Sequence, residues 1–193
     1  ERMFLLHGES KYIDCMERTL YNGVISGMSM DGGRFFYPNP LSSDGKYAFN
    51  ADGNTTRQPW FGCACCPSNL CRFIPSVPGY LYGVKDNNIY VNLFAGNTST
   101  IKVNGKDVVL EETTEYPWNG DIKIAVKKSG VKNANLLVRI PGWVRNQVVP
   151  SDLYKYSDAE KPAYTVTVNG KAVEADLDAN KGYLPVKNIK KGD

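Results

Sequence analysis

From residue 79 onward the sequence falls into short runs that alternate apolar and polar residues: "GYLYGVKDNNIYVNLF", "TSTIKVNGKDVVL", "DIKIAVKK", "NLLVRIPGW" and "YTVTVNGKAVEA". A period of two sends successive side chains to opposite faces, so each run can bury one face and wet the other. The runs are separated by Asn-Gly, Gly or Pro, the residues that break strands and turn chains. The pattern predicts antiparallel strands stacked as a β-sandwich over residues 79–193. Two of the breaks use the same device, Val103-Asn104-Gly105-Lys106 and Val168-Asn169-Gly170-Lys171. Asn-Gly suits a two-residue turn with both central residues at positive φ, so each is read as a hairpin.

Residues 1–78 have a different character. Over residues 9–27, Ile13, Met16, Leu20 and Val24 recur at helical spacing among Glu9, Lys11, Asp14, Glu17 and Arg18, and Gly27 closes the run. This predicts an amphipathic helix. "MSMDGGRFFYPNPL" reads as a short hairpin turning at Asp31 to Gly33, followed by a polar loop over residues 42–58. Pro67 then suits the first turn of a second helix through Leu70, Phe73 and Ile74, which Pro75 and Pro78 kink or stop. The expected class is α+β, with helices in 1–78 and the sandwich in 79–193. The opening "ERMFLLHG" reads as the tail of an apolar helix and "NIKKGD" closes in a turn, which predicts a piece of a longer protein.

At 42% hydrophobic and 22% charged residues, the 193-residue chain can bury a real core. Its formal net charge of +3 is small and its lysines are scattered, which gives no electrostatic footprint for a nucleic acid. The apolar runs are far shorter than the roughly 18 residues that span a bilayer, so no membrane span is expected.

Four of the five cysteines, Cys63, Cys65, Cys66 and Cys71, fall within nine residues, and Cys15 stands apart. An odd, crowded set makes a poor disulfide framework, since such frameworks staple distant loops. Cys15 and Cys71 lie in apolar surroundings and are expected in the core, where free cysteine behaves as a small hydrophobe. Cys63, Cys65 and Cys66 precede a helix, and a helix N-terminus favours the thiolate, which is both nucleophile and metal ligand. Metal binding, thiol redox chemistry and simple packing all remain open from the spacing, because C-x-C-C is not one of the usual zinc patterns.

"WFGCACCPSNLCRFIPSVPGYLYG", with "CMERTLYNGVISGMSMDGGRFFYPNPL" before it and "LLVRIPGW" after it, resembles the β-L-arabinofuranosidase family, glycoside hydrolase family 127. The resemblance implies an (α/α)6 barrel followed by β-sandwich domains. It also implies retaining hydrolysis of an arabinofuranoside-type carbohydrate by a zinc-bound cysteine in place of a carboxylate. By position, Cys65 matches that nucleophile and a zinc ligand, and Cys66 matches a second ligand. The family's remaining ligands, a glutamate and a cysteine, and its acid/base glutamate are implied to lie upstream of residue 1. Glu17 and Tyr37 fall in stretches that resemble substrate-contacting segments, and a carboxylate and a phenol suit sugar hydroxyls. A retaining glycosidase needs nucleophile and proton donor on the two sides of one bond, roughly 5 to 5.5 Å apart, so these residues alone are expected to be inactive.

Two other readings compete. A non-catalytic carbohydrate-binding or spacer sandwich would suit the aromatic-rich second half but has no use for a turn crowded with thiols. A thiol redox site would need a resolving partner for the reactive cysteine. Trp60 and Trp143 could stack on sugar rings or anchor the fold.

Overall fold

The computed structural model describes residues 1–63, 65–158 and 164–193. The chain forms two compact units: Glu1–Cys15 with Gly79–Asp193, and Met16–Pro78.

In the first unit the alternating runs become strands. β1 (Tyr82–Lys85), β2 (Asn88–Val91), β6 (Asn135–Arg139) and β9 (Tyr183–Val186) form one sheet in the order β1-β2-β6-β9. A second sheet orders β3 (Asn97–Val103), β4 (Lys106–Thr114) and β5 (Ile122–Ser129). β7 (Thr167–Val168) and β8 (Lys171–Ala172) make a separate small hairpin. Pairing is antiparallel throughout except between β2 and β6, which run parallel. Ile89, Val91 and Leu136 of the first sheet share one buried cluster with Ile101, Val103, Val108, Leu110 and Val126 of the second, which makes the pair a sandwich. Both Asn-Gly turns have the expected backbone: φ is 49° and 76° at Asn104 and Gly105, and 50° and 78° at Asn169 and Gly170. After Tyr80, helix is limited, among the described residues, to one short turn at Gly142–Arg145.

The unit also claims the chain's first fifteen residues. α1 (Arg2–His7) buries Phe4 against the rings of Tyr90 and Tyr183, and Gly8 at φ 64° caps it by donating to the Phe4 carbonyl at 2.7 Å. α2 (Ser10–Thr19) starts with the Ser10 amide donating to the Lys181 carbonyl at 2.9 Å. Gly182, at φ 84°, lies so close under Ser10 that a Cβ there would collide with its hydroxyl. Asp14 of α2 receives the guanidinium of the fully buried Arg139 at 2.7 Å. Arg139 also donates from Nε to the Asn92 carbonyl, whose side chain accepts from Tyr183 Oη at 2.7 Å. Ile13 is buried.

In the second unit, α2 passes through a wider turn at Leu20–Val24 and a tight one at Ile25–Gly27, so the expected helix over 9–27 is one helical run with three hydrogen-bond patterns. The turn at Asp31 to Gly33 is present: Met28 bridges Phe35, and the Ser29 amide donates to the Arg34 carbonyl at 2.9 Å. The polar loop is ordered by buried Asn50, whose Oδ1 accepts from the Tyr37 amide at 2.8 Å while its Nδ2 donates to the Thr56 carbonyl at 2.8 Å. α3 (Cys65–Phe73) carries the buried Pro67 in its first turn and ends in a tight helical stretch, Ile74–Tyr80, that contains Pro78.

The core expectation for two cysteines is corrected: Cys15 and Cys71 are exposed. Cys15 sits two residues from both Ile13 and Glu17, about 200° around α2 from each, so burying those two turns it outward. On α3 the inward side is set by Pro67, Leu70 and Phe73, and Cys71 lies on its flank.

Candidate active site

α3 presents its first residues, Cys65 and Cys66, beside Cys63 and the phenol of Tyr37. The first turn is braced from within. Ser68 Oγ and Asn69 Nδ2 both donate to the Cys65 carbonyl, at 3.1 and 2.8 Å, and Arg72 donates to Asn69 Oδ1 at 3.0 Å. Tyr37 is aimed by two contacts, its amide on Asn50 and its ring edge-to-face with buried Phe61 at 5.4 Å between centroids. A residue 28 positions before α3 is thereby brought to its N-terminus.

Cys65 Sγ is the hub. Tyr37 Oη lies 2.6 Å from it, Cys63 Sγ 3.7 Å and Cys66 Sγ 3.9 Å. The hydrogen bond from Tyr37, followed by that from Cys63, holds the Cys65 thiol below the ordinary cysteine range. The same contact with Cys65 pushes the Tyr37 phenol well above its ordinary value. Burial, then the neighbouring Cys65, pushes the Cys66 thiol up. Both shifts favour a proton on Tyr37 over one on Cys65, the direction in which a thiol becomes a better nucleophile.

Zinc binds thiolates at about 2.3 Å in a tetrahedron, whose edge is then about 3.8 Å. The Cys65 to Cys66 and Cys63 to Cys65 separations, 3.9 and 3.7 Å, fit such edges. Among the described residues, however, no group of three or more His, Cys, Asp and Glu is gathered to hold an ion. The thiols present fit part of a thiolate-rich zinc site and do not complete it.

Of the residues singled out from the sequence, Cys65, Cys66 and Tyr37 meet directly. Glu17 is buried on α2, against the alternative of a solvated helix residue. Sequence reasoning held Cys63 as one of three thiols open to metal binding, redox chemistry or packing, and missed Asn50 and Asn69. For Asn69 a signal existed, since its four-residue offset from Cys65 on a helix allows a side chain to reach that carbonyl. For Asn50, inside a polar loop, there was none. Trp60 and Trp143 remain largely exposed.

Two family models match the chain. Residues 1–79 match the catalytic domain of the GH127 β-L-arabinofuranosidases, and residues 88–193 match their middle domain. A non-reducing end β-L-arabinofuranosidase of Bifidobacterium longum subsp. longum is 31% identical over 96% of the chain. A solved GH127 β-arabinofuranosidase is 55% identical over 99% of the chain, with a TM-score of 0.89. A GH127 β-L-arabinofuranosidase from Geobacillus stearothermophilus T6 is 36% identical over the whole chain, with a TM-score of 0.76. The chain spans 27% of the length of the Bifidobacterium enzyme and 28% of each of these two solved chains. With one family model covering its first 79 residues and another its last 106, the chain belongs to glycoside hydrolase family 127, the β-L-arabinofuranosidase family.

Proposed function

We propose that this chain is the nucleophile-bearing part of a retaining glycoside hydrolase that acts on arabinofuranoside-type carbohydrates, with Cys65 as the nucleophile. The observation that carries the reading is the 2.6 Å contact of Tyr37 Oη with Cys65 Sγ at the first residue of α3. A phenol hydrogen-bonded to a sulfur at a helix N-terminus favours the thiolate form of that sulfur. Cys65 attacks the anomeric carbon of the bound sugar as the glycosidic oxygen departs with a proton, and water later displaces the sulfur. Tyr37 keeps its proton, orients the sulfur and offers its oxygen to a sugar hydroxyl. Glu17 serves as a second sugar contact.

Cys65 and Cys66 would hold zinc together with ligands from outside these 193 residues. Bound there, zinc would supply charge that keeps thiolates deprotonated. The proton donor for the leaving oxygen is likewise placed outside these residues, so residues 1–78 contribute the nucleophile, residues 79–193 a supporting sandwich, and the isolated chain does not turn over. The similarity to enzymes named β-L-arabinofuranosidases supports the substrate class.

The test is Cys65→Ser in the longer protein to which these residues belong. A hydroxyl is a far poorer nucleophile near neutral pH and a weaker zinc ligand, so hydrolysis of an arabinofuranoside should be lost. Ordinary activity in that variant would end the assignment.

A further inference from the structure

A reactive thiol in an exposed position is also a target for oxidation, and Cys65 is exposed. Its fate then depends on whether another thiol can reach it before a second oxidant does. Cys63 Sγ stands 3.7 Å away, also exposed, with its thiol proton directed at the Cys65 sulfur.

We infer that Cys63 is the resolving cysteine of a reversible redox modification of Cys65, in which a hydroperoxide converts the pair to a Cys63–Cys65 disulfide. This rests on the reading of Cys65 as the reactive thiol of the site. In the first step the Cys65 sulfur takes the terminal oxygen of the hydroperoxide. The O–O bond breaks, the peroxide is reduced to water or an alcohol, and Cys65 becomes a sulfenic acid, oxidised by two electrons. In the second step the Cys63 sulfur attacks the Cys65 sulfur. An S–S bond forms, the S–O bond breaks, and the hydroxyl leaves as water with the proton of the Cys63 thiol.

Geometry selects Cys63 over the other thiols. Cys66 Sγ is nearly as close, at 3.9 Å, but adjacent residues have Cα atoms about 3.8 Å apart, below the roughly 4.4 to 6.8 Å span of ordinary disulfides. Cys66 is also fixed inside the first turn of α3, whereas Cys63 precedes the helix and can adjust without unwinding it. A C-x-C pair spans up to about 7 Å between Cα atoms, which covers the disulfide range. Cys71 lies six residues along α3 from Cys65, about 9 Å of helix axis away. The cross-link would take the nucleophile out of service while protecting it from irreversible oxidation.

The experiment uses the 193-residue chain, freed of metal by a chelator, treated with stoichiometric hydrogen peroxide, quenched by alkylation and mapped by peptide mass. The expected product joins Cys63 to Cys65 with the loss of two hydrogen atoms and reopens in dithiothreitol. In Cys63→Ser the yield of Cys65 sulfinic acid, two oxygens heavier and not restored by dithiothreitol, should rise several-fold. Cys66→Ser should still give the Cys63–Cys65 product. A disulfide from Cys65 to Cys66, Cys71 or Cys15, no disulfide at all, or equal sulfinic acid with and without Cys63 would overturn the inference. The readout is a mass and not an activity. Hydrolysis surviving in Cys65→Ser of the longer protein would therefore defeat the nucleophile reading without touching the cross-link result.

Discussion

Arg139 of β6 and Asp14 of α2, 125 residues apart, meet at 2.7 Å inside the sandwich unit, and the guanidinium has no solvent exposure. Its Nε is committed to the Asn92 carbonyl, and its Cζ lies 5.4 Å from the centre of the Phe94 ring. Removing one member of a buried pair strands the other charge, which costs about 3 to 5 kcal/mol. Arg139→Met should destabilise the chain by that order in denaturant unfolding. Adding Asp14→Asn should recover part of the loss, because the carboxylate, left with only Arg145 at 3.8 Å, is then gone. A single variant as stable as the parent would show that the pair is not needed.

Glu112 of β4 is buried, accepts from Tyr82 Oη at 3.1 Å, and has its other carboxyl oxygen buried without a partner. Burial pushes its carboxyl up to about 7. The folded state thus holds this proton more tightly than the unfolded chain, whose glutamates titrate near 4.3. The resulting stability is full below about pH 4.3, declines as pH rises toward 7, and is gone above that. Glu112→Gln cannot titrate. It should flatten the fall in stability between about pH 4.3 and 7, a difference of roughly 3 to 4 kcal/mol. Unfolding midpoints measured across that range check it, and an unchanged slope in the variant would refute the role of Glu112.

Tyr37→Phe removes the donor that does most to hold the Cys65 thiol below its ordinary range. In the metal-free chain the midpoint of Cys65 alkylation against pH should move upward, and its labelling rate near pH 7 should fall several-fold. Cys15, exposed and lying in the other compact unit, provides an internal reference whose rate should not change. A Cys65 profile unmoved by the substitution would mean that the phenol does not support the thiolate.

What could be read from the sequence divides by the range of the interaction responsible. Asn104-Gly105 and Asn169-Gly170 announce their hairpins because the positive φ values they adopt are favoured by the residues themselves. Pro67 marks the start of α3 for an equally local reason, its missing N–H and fixed φ. The parallel pairing of β2 with β6 could not be read this way. It joins Asn88 to Asn135 across the whole β3-β4-β5 sheet, and alternation of side chains is the same in parallel and antiparallel strands. Nor could the burial of Arg139, whose partner Asp14 looks like any solvated helix residue until the fold brings them together. At the site, the cysteines advertised themselves by their density, and Tyr37 and Glu17 by resemblance. Cys63 and Asn50 matter through distances that only the folded chain supplies.

The last prediction concerns the zinc affinity of these 193 residues taken by themselves. Structural zinc is held by four ligands, and its binding free energy depends on all of them being presented together. Here Cys65 and Cys66 offer two sulfurs 3.9 Å apart, a fitting edge of a tetrahedron, but the described residues gather no third and fourth ligand into a metal-holding group. Cys66 also resists deprotonation, because its burial and the neighbouring Cys65 push its thiol up. The isolated chain should therefore take up zinc weakly, release it readily to a chelator, and leave Cys65 open to alkylation. The longer protein should retain about one zinc per chain under the same treatment and protect that sulfur. The sandwich core of Ile89, Val91, Val103, Val108 and Leu110 contains no thiol, so unfolding of the chain should not respond to the chelator. Elemental analysis after dialysis, run beside thiol labelling, measures both sides of this. Full, chelator-resistant zinc with an unreactive Cys65 in the 193-residue chain would place the missing ligands within it, with Cys63 at 3.7 Å the first to examine.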